Sequence, residues 1–322
     1  MMNKGSAGPS ARQEIDQGIV FFRDELRPFS EANVSIATHA LNYGTGCFEG
    51  IRGYWNAEHE ELYILKGPEH YERFLRSARI LKIQVPYDVD GLMAWTKKML
   101  AANQFQQDVY IRPLAFKGAA MIKVTLSGIR DELGIFATPM GDYVRTEGLK
   151  ATVSSWVRIA DNIIPSRAKV TGAYINAALA NDDATLDGYD EAIMLSQDGQ
   201  VAEASSSNLF IVRDGVLITT PVTSDILEGI TRNVVFQLAK NLGHSWVERP
   251  IDRTELYVAD EVFLCGTGVQ LAAVVEIDHR PIGTGATGPV TQALQQVYFG
   301  AVRGMDPLYR DWLTPVYREG EI

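Results

Sequence analysis

Gly283-Thr284-Gly285-Ala286-Thr287-Gly288 spells GxGxxG. That loop binds a dinucleotide pyrophosphate only inside a βαβ unit, with an acidic residue on the following strand. Too little chain follows Gly288 for that arrangement, so the string is expected to be a flexible loop ahead of a helix starting at Pro289. Ser166-Arg167-Ala168-Lys169 matches SxxK, the nucleophile motif of penicillin-binding enzymes, but the companion strings SDN and KTG do not occur. Nor does GxSxG. The five histidines, His39, His59, His70, His244 and His279, form no HExxH or paired-ligand spacing, so no metal site is expected. Cys47 and Cys265 stand in no CxxC pair, which argues against a disulfide framework or a thiolate zinc site.

The segments between these residues read as short elements. Gly18 to Phe29 predicts two strands about an Arg23-Asp24-Glu25 turn, and Leu62 to Leu65 a third. Pro68 opens a helix in which Tyr71, Phe74, Leu75, Ala78 and Leu81 recur at helical spacing; Leu92 to Leu100 is a second. Val109 to Phe116 is a strand with Val109, Ile111 and Ala115 on one face and Tyr110, Arg112 and Leu114 on the other. Pro113 keeps Arg112 out of helical backbone, which supports that assignment. Later come a strand around Ala151 to Val157, a helix around Tyr174 to Leu186, and hairpins turning at Asp198-Gly199 and Asp214-Gly215. A helix starts near Gly229-Ile230-Thr231 and ends by Gly243, Glu261 to Cys265 is a buried strand, and Pro289 to Phe299 is a final helix.

The 322 residues are 46% hydrophobic and 22% charged, the balance of a folded globular chain. Thirty Lys+Arg against forty Asp+Glu leave a net charge of −10, and no basic run stands out, so neither nucleic acid nor an anionic membrane is an expected partner. No apolar run approaches the roughly 20 residues of a membrane span. The start of the chain lacks a signal-cleavage pattern, and a cytoplasmic location is expected. Helices and hairpins mix without strict alternation, which predicts two α+β domains. The expected division is a loose tail over 1–16, a small α/β domain over 17–141, a polar, glycine-punctuated linker over 142–148 and a large domain over 149–322.

One set of segments remains. Tyr43-Gly44-Thr45-Gly46-Cys47-Phe48-Glu49-Gly50-Ile51-Arg52 comes first, then Ala168-Lys169 with Tyr174, Gly188-Tyr189-Asp190-Glu191-Ala192, and Val201-Ala202-Glu203 followed by Asn208-Leu209-Phe210. Glu228-Gly229-Ile230-Thr231-Arg232 and Ala259-Asp260-Glu261-Val262-Phe263 with Gly266-Thr267-Gly268 complete it. In this order the set resembles the branched-chain amino acid aminotransferases, within the class IV pyridoxal-phosphate aminotransferases of fold type IV, from about Phe21 to Phe299. The resemblance implies a mixed α/β, two-domain fold with pyridoxal 5'-phosphate held between the domains. It also implies a homodimer or larger homo-oligomer, and transamination of leucine, isoleucine and valine with 2-oxoglutarate. The partners implied are small amino acids and 2-oxo acids.

Transamination requires a lysine that bonds covalently to the cofactor and shuttles a proton, and the resemblance assigns this to Lys169. Tyr174 matches the tyrosine on the cofactor's phenolic oxygen. Glu203, in a strand between two alanines, matches the carboxylate that keeps the pyridine nitrogen protonated. For the phosphate, Gly229, Ile230 and Thr231 at a helix start supply amides and a hydroxyl, Gly266 and Thr267 supply a second nest, and Arg73 matches the family arginine. Tyr43, Phe48 and Tyr143 match the walls of the substrate pocket, and Gly50 leaves it room. Tyr110 and Arg112 match its polar pair, and Arg52 orders its wall. Thr267, Gly268 and Val269 complete the substrate set. The family often carries a GTAAE-like string where this chain has Gly266-Thr267-Gly268-Val269-Gln270-Leu271-Ala272-Ala273, so Val269 and Gln270 are expected to relax the substrate range. Rival readings are a D-amino-acid or (R)-amine aminotransferase, an aminodeoxychorismate lyase-like enzyme, and a non-catalytic cofactor carrier.

Overall fold

The computed structural model describes residues 18–119, 122–141, 146 and 148–318. The chain divides into two compact units, Met1–Gly141 with Asp311–Ile322, and Asp142–Arg310.

The first unit opens on the hairpin β1 (Ile19–Phe22) and β2 (Glu25–Pro28), turned at Arg23 and Asp24, both in left-handed backbone. A short helix, α1 (His39–Tyr43), leads into β3 (Gly46–Phe48), β4 (Ile51–Asn56) and β5 (Glu61–Leu65). Then come α2 (Gly67–Ile80), with Pro68 in its first turn, and α3 (Val89–Asn103), capped by the Asp88 side chain on the Gly91 N–H. The strands β6 (Val109–Lys117) and β7 (Asp131–Pro139) pair antiparallel along their whole length. Both helices contribute to one core: Tyr71, Phe74, Leu92 and Leu100 pack with Ile51, Leu62, Ile64 and Ile111. Odd-numbered residues of β6 are therefore buried, while Tyr110, Arg112 and Leu114 lie half-buried on the opposite face, the alternation expected from sequence.

The second unit starts with β8 (Leu149–Val153), shorter than the expected strand to Val157. Beyond Val153 only the Ser154 and Arg158 amides still reach β9 carbonyls, those of Ile193 and Leu195. Then follow α4 (Tyr174–Leu186), β9 (Glu191–Leu195), β10 (Val201–Ala204), β11 (Asn208–Arg213), β12 (Val216–Thr219), α5 (Ile230–Asn241) and β13 (Trp246–Glu248). β14 (Glu261–Gly266), β15 (Gln270–Ile277), β16 (Arg280–Pro281) and α6 (Pro289–Ala301) complete it. The sheet order is β10-β9-β8-β15-β14-β11-β12-β13, with β16 beside β15. Gly199, and Asp214 with Gly215, take the positive φ of tight hairpin turns.

The last strand, β17 (Leu313–Pro315), pairs antiparallel with β5 of the first unit. This corrects the expected division, which carried the large domain through 322. The cause is the buried Glu61 carboxylate, which accepts the Val316, Tyr317 and Arg318 amides at 2.8–2.9 Å and holds the chain end beside β5. The pull is tertiary, and no local pattern announces it.

The GxGxxG string is a structural loop. Gly283 and Gly285 take positive φ, and a Cβ on Gly288 would overlap the Glu261 side chain. Glu261 caps α6 from β14: it accepts the Val290 amide at 2.9 Å, the Thr291 amide at 2.8 Å and the Thr291 hydroxyl at 2.6 Å. Glu261→Ala should thus strand three donors, the two of Thr291 fully buried. The expected cost is about 2–3 kcal/mol, a thermal midpoint roughly 5–10 °C lower by calorimetry at equal cofactor loading. An unchanged midpoint would show that water replaces the cap. Among the described residues no helix is long and apolar enough to cross a membrane, and no cluster of His, Cys, Asp and Glu could hold a metal.

Candidate active site

Lys169 sits between buried Ala168 and Val170, just before the single turn Thr171–Ala173 that starts α4. Its Nζ lies 5.4 Å from the centre of the Tyr174 ring. Ser166, the serine of SxxK, donates to Asp161 at 3.1 Å through both its amide and its hydroxyl, a local turn contact. Glu203 lies on β10 next to an irregularity: Val201 pairs with Leu195 but Glu203 with Met194, so Ala202 is an extra residue. Such a bulge re-aims the side chain that follows it. The Thr220 hydroxyl pins it by donating to the Ala202 carbonyl at 2.8 Å. The buried Glu203 carboxylate meets the Arg158 guanidinium at 2.7 Å, accepts Asn208 Nδ2 at 2.9 Å, and accepts the Leu227 amide more weakly at 3.3 Å.

Gly229 is the N-cap of α5 and brings no side chain to cap it. A Cβ there would overlap Asn208 Oδ1, so glycine is required by the same asparagine that holds Glu203. The uncapped first turn, with Ile230 and Thr231, is an anion-binding helix start. Gly266 closes β14 and pairs with Gln270, leaving Thr267, Gly268 and Val269 as the hairpin tip.

In the first unit, antiparallel register collects the other predicted residues. Phe48 pairs with Leu114, Ile51 with Ile111 and Arg52 with Tyr110. A Cβ on Gly50 would overlap the Tyr110 hydroxyl, so the room Gly50 provides is taken by Tyr110. Arg112 Nη2 donates to that hydroxyl at 3.0 Å, and the guanidinium lies 4.3 Å from the Phe48 ring centre. Buried Arg52 donates to the Met140 carbonyl at 3.1 Å and to that of Gly141, tying the end of the first unit's sheet to β4. Tyr43 is more exposed and lies tilted against His39, with ring centres 4.5 Å apart. Tyr143 lies outside the described residues.

The sequence profile described as amino-transferase class IV matches residues 46–277, most of the chain. The chain belongs to the class IV aminotransferases. The probable branched-chain-amino-acid aminotransferase of Aquifex aeolicus is 50% identical over 95% of this chain and 99% of its own. The crystal structure of the branched-chain aminotransferase of Thermoproteus uzoniensis with norvaline superposes with a TM-score of 0.90 at 43% identity, covering 93% of this chain and 99% of that one. The holo-form of the branched-chain amino acid aminotransferase of Thermobaculum terrenum also gives 0.90, at 37% identity, covering 94% of this chain and 100% of that one. The mixed helix-and-sheet fold is that of the fold type IV enzymes.

Class IV aminotransferases use pyridoxal phosphate, and the second unit of this aminotransferase fits it. An amine, a phenol, a buried carboxylate paired with a cation, and an uncapped helix start match the cofactor's aldehyde, phenolic oxygen, ring nitrogen and phosphate. The enforced glycine at Gly229 keeps the helix start clear.

Arg73 of the aminotransferase has its Nε and Nη2 forked onto Glu49 at 2.7 and 2.8 Å, and His70 Nδ1 meets the same carboxylate at 2.8 Å. Burial would raise the Glu49 carboxyl, but the Arg73 charge and the hydrogen bonds from Arg73 and His70 hold it well below the usual carboxylate range. Burial pushes the Cys47 and Cys265 thiols up to about 12, so neither is a nucleophile.

Two expectations for this aminotransferase change. The Val269 side chain packs into the second unit's hydrophobic core, so the hairpin tip can offer a substrate only its backbone there. Gln270 is buried as well, in left-handed backbone, so the departure from GTAAE is absorbed within the hairpin. Arg158 and Asn208 are absent from the sequence-based site. Asn208, a poor strand former opening a buried strand, carried a signal; Arg158, in an unpatterned stretch, carried none.

Proposed function

We propose that this aminotransferase moves the amino group of L-leucine, L-isoleucine and L-valine to 2-oxoglutarate, yielding branched 2-oxo acids and L-glutamate. Bound pyridoxal phosphate supplies the electron sink and carries the amino group between the two half-reactions. Lys169 holds the cofactor covalently and moves the proton at the substrate Cα. Tyr174 donates to the phenolic oxygen, and Glu203 holds the proton at the ring nitrogen. The α5 amides with Thr231 and the Gly266–Thr267 backbone bind the phosphate. Tyr43, Phe48 and Tyr110 line the apolar side of the pocket, with Gly50 and Arg52 shaping it.

Arg112 carries the choice of substrates. Among the described residues it has no carboxylate partner, and it rests on the Phe48 face and the Tyr110 hydroxyl. A cation held by an aromatic face can wait without an anion and accept one when it arrives, so one pocket serves methyl groups and a distal carboxylate in turn. Arg112→Leu should weaken the 2-oxoglutarate half-reaction by roughly 2–4 kcal/mol and the leucine half-reaction much less. Stopped-flow spectra of both half-reactions measure this. Equal losses, or a wild-type enzyme that prefers (R)-1-phenylethylamine to L-leucine, would overturn the assignment.

A reducing, cytoplasmic location agrees with the two buried, unpaired thiols. A homodimer or larger homo-oligomer is supported by the exposed apolar residues Val34, Ile36 and Leu41 around α1.

A further inference from the structure

The Glu203 carboxylate is buried, and a buried anion is stable only with a cation and a full set of hydrogen bonds. Its two oxygens have about four acceptor positions. Arg158 Nη2 occupies one at 2.7 Å and Asn208 Nδ2 another at 2.9 Å, while the Leu227 amide straddles both oxygens at 3.3 and 3.4 Å. The same guanidinium reaches further: Arg158 Nε donates to the Asp225 carbonyl at 3.2 Å, and Asp225 itself is in left-handed backbone. Asn208 Nδ2 also donates to the Leu227 carbonyl at 3.0 Å. Arg158 therefore grips both the carboxylate and the loop that runs from Asp225 through Leu227 to the α5 N-terminus. The Arg158 amide is itself fixed on the Leu195 carbonyl at 2.8 Å, so the guanidinium springs from a backbone tied to β9.

We infer that Arg158 is a positioning residue that keeps Glu203 ionised and aimed at the cofactor's ring nitrogen while anchoring the loop before the phosphate-binding helix. This rests on the proposed role of Glu203. Its two grips require the forked guanidinium: methionine supplies neither, and lysine supplies the charge but only one contact at a time.

The test is the rate at which the holoenzyme releases pyridoxal phosphate to a trapping protein, followed by absorbance and independent of turnover. Arg158→Met should release cofactor roughly 10–100-fold faster than wild type, the usual effect of losing a partner that orients a cofactor ligand. Arg158→Lys should recover only part of that loss, the part owed to its charge beside Glu203. Glu203→Gln alone should also release faster, and adding Arg158→Met to it should cost clearly less than in the wild-type background, because only the contact to the Asp225 carbonyl is then left to lose. A purely structural arginine would give the same loss in both backgrounds. Equal losses, or an Arg158→Lys holoenzyme as leaky as Arg158→Met, would overturn the inference and leave the Glu203 assignment standing. If Glu203→Gln releases cofactor at the wild-type rate, both fall.

Discussion

Lys169→Ala is expected to reduce turnover by at least about 10⁴-fold, since it removes the amine that holds the cofactor and carries the Cα proton. The backbone around Lys169 supports a clean result. Ala168 and Val170 anchor the segment in buried positions and the turn Thr171–Ala173 follows directly, so trimming one partly exposed side chain leaves the local fold in place. Reduction of the wild-type holoenzyme with borohydride should lock the cofactor onto Lys169, and peptide mapping by mass spectrometry should find it there. Recovery of the reduced cofactor on another lysine would sink the mechanism assigned to this site.

Glu203→Gln is expected to leave the fold intact and the cofactor bound, though more loosely, and to slow each half-reaction by roughly 10²–10³-fold. The size follows from the surroundings. Arg158, Asn208 and the Leu227 amide all donate toward this side chain, and Asn208 cannot turn its carbonyl to it without giving up its bond to Leu227. A glutamine must set its own NH₂ against one of these donors. It also leaves Arg158 without its anion and the ring nitrogen without a charged partner. Single-turnover stopped-flow, with circular dichroism as a check on the fold, measures the effect. Near-normal rates in a folded variant would remove Glu203 from the chemistry.

Much of this protein was legible in its residues, for reasons of range. The hairpin turns at Gly199 and at Asp214 with Gly215, the helix from Tyr174 to Leu186 and the alternation along Val109–Lys117 all depend on neighbours within a few positions. Periodicity and turn chemistry report such neighbours directly. The family motifs were legible too, because a glycine at Gly229 or Gly50 and a glutamate in a buried strand are unusual enough to be noticed.

What only the tertiary structure decided is which distant groups meet. Glu61 draws the chain end back to the first unit, and Glu261 caps a helix it precedes by one strand and a hairpin. Asn208 fills the space beside Gly229, Tyr110 fills that beside Gly50, and Arg158 reaches Glu203 from a stretch without pattern. The GxGxxG and SxxK strings, which could have meant a nucleotide loop or a nucleophile, turn out to serve Glu261 and Asp161. Residue types and spacing are local and set the elements; a buried carboxylate finds its donors wherever the fold brings them, and sequence spacing carries no record of that.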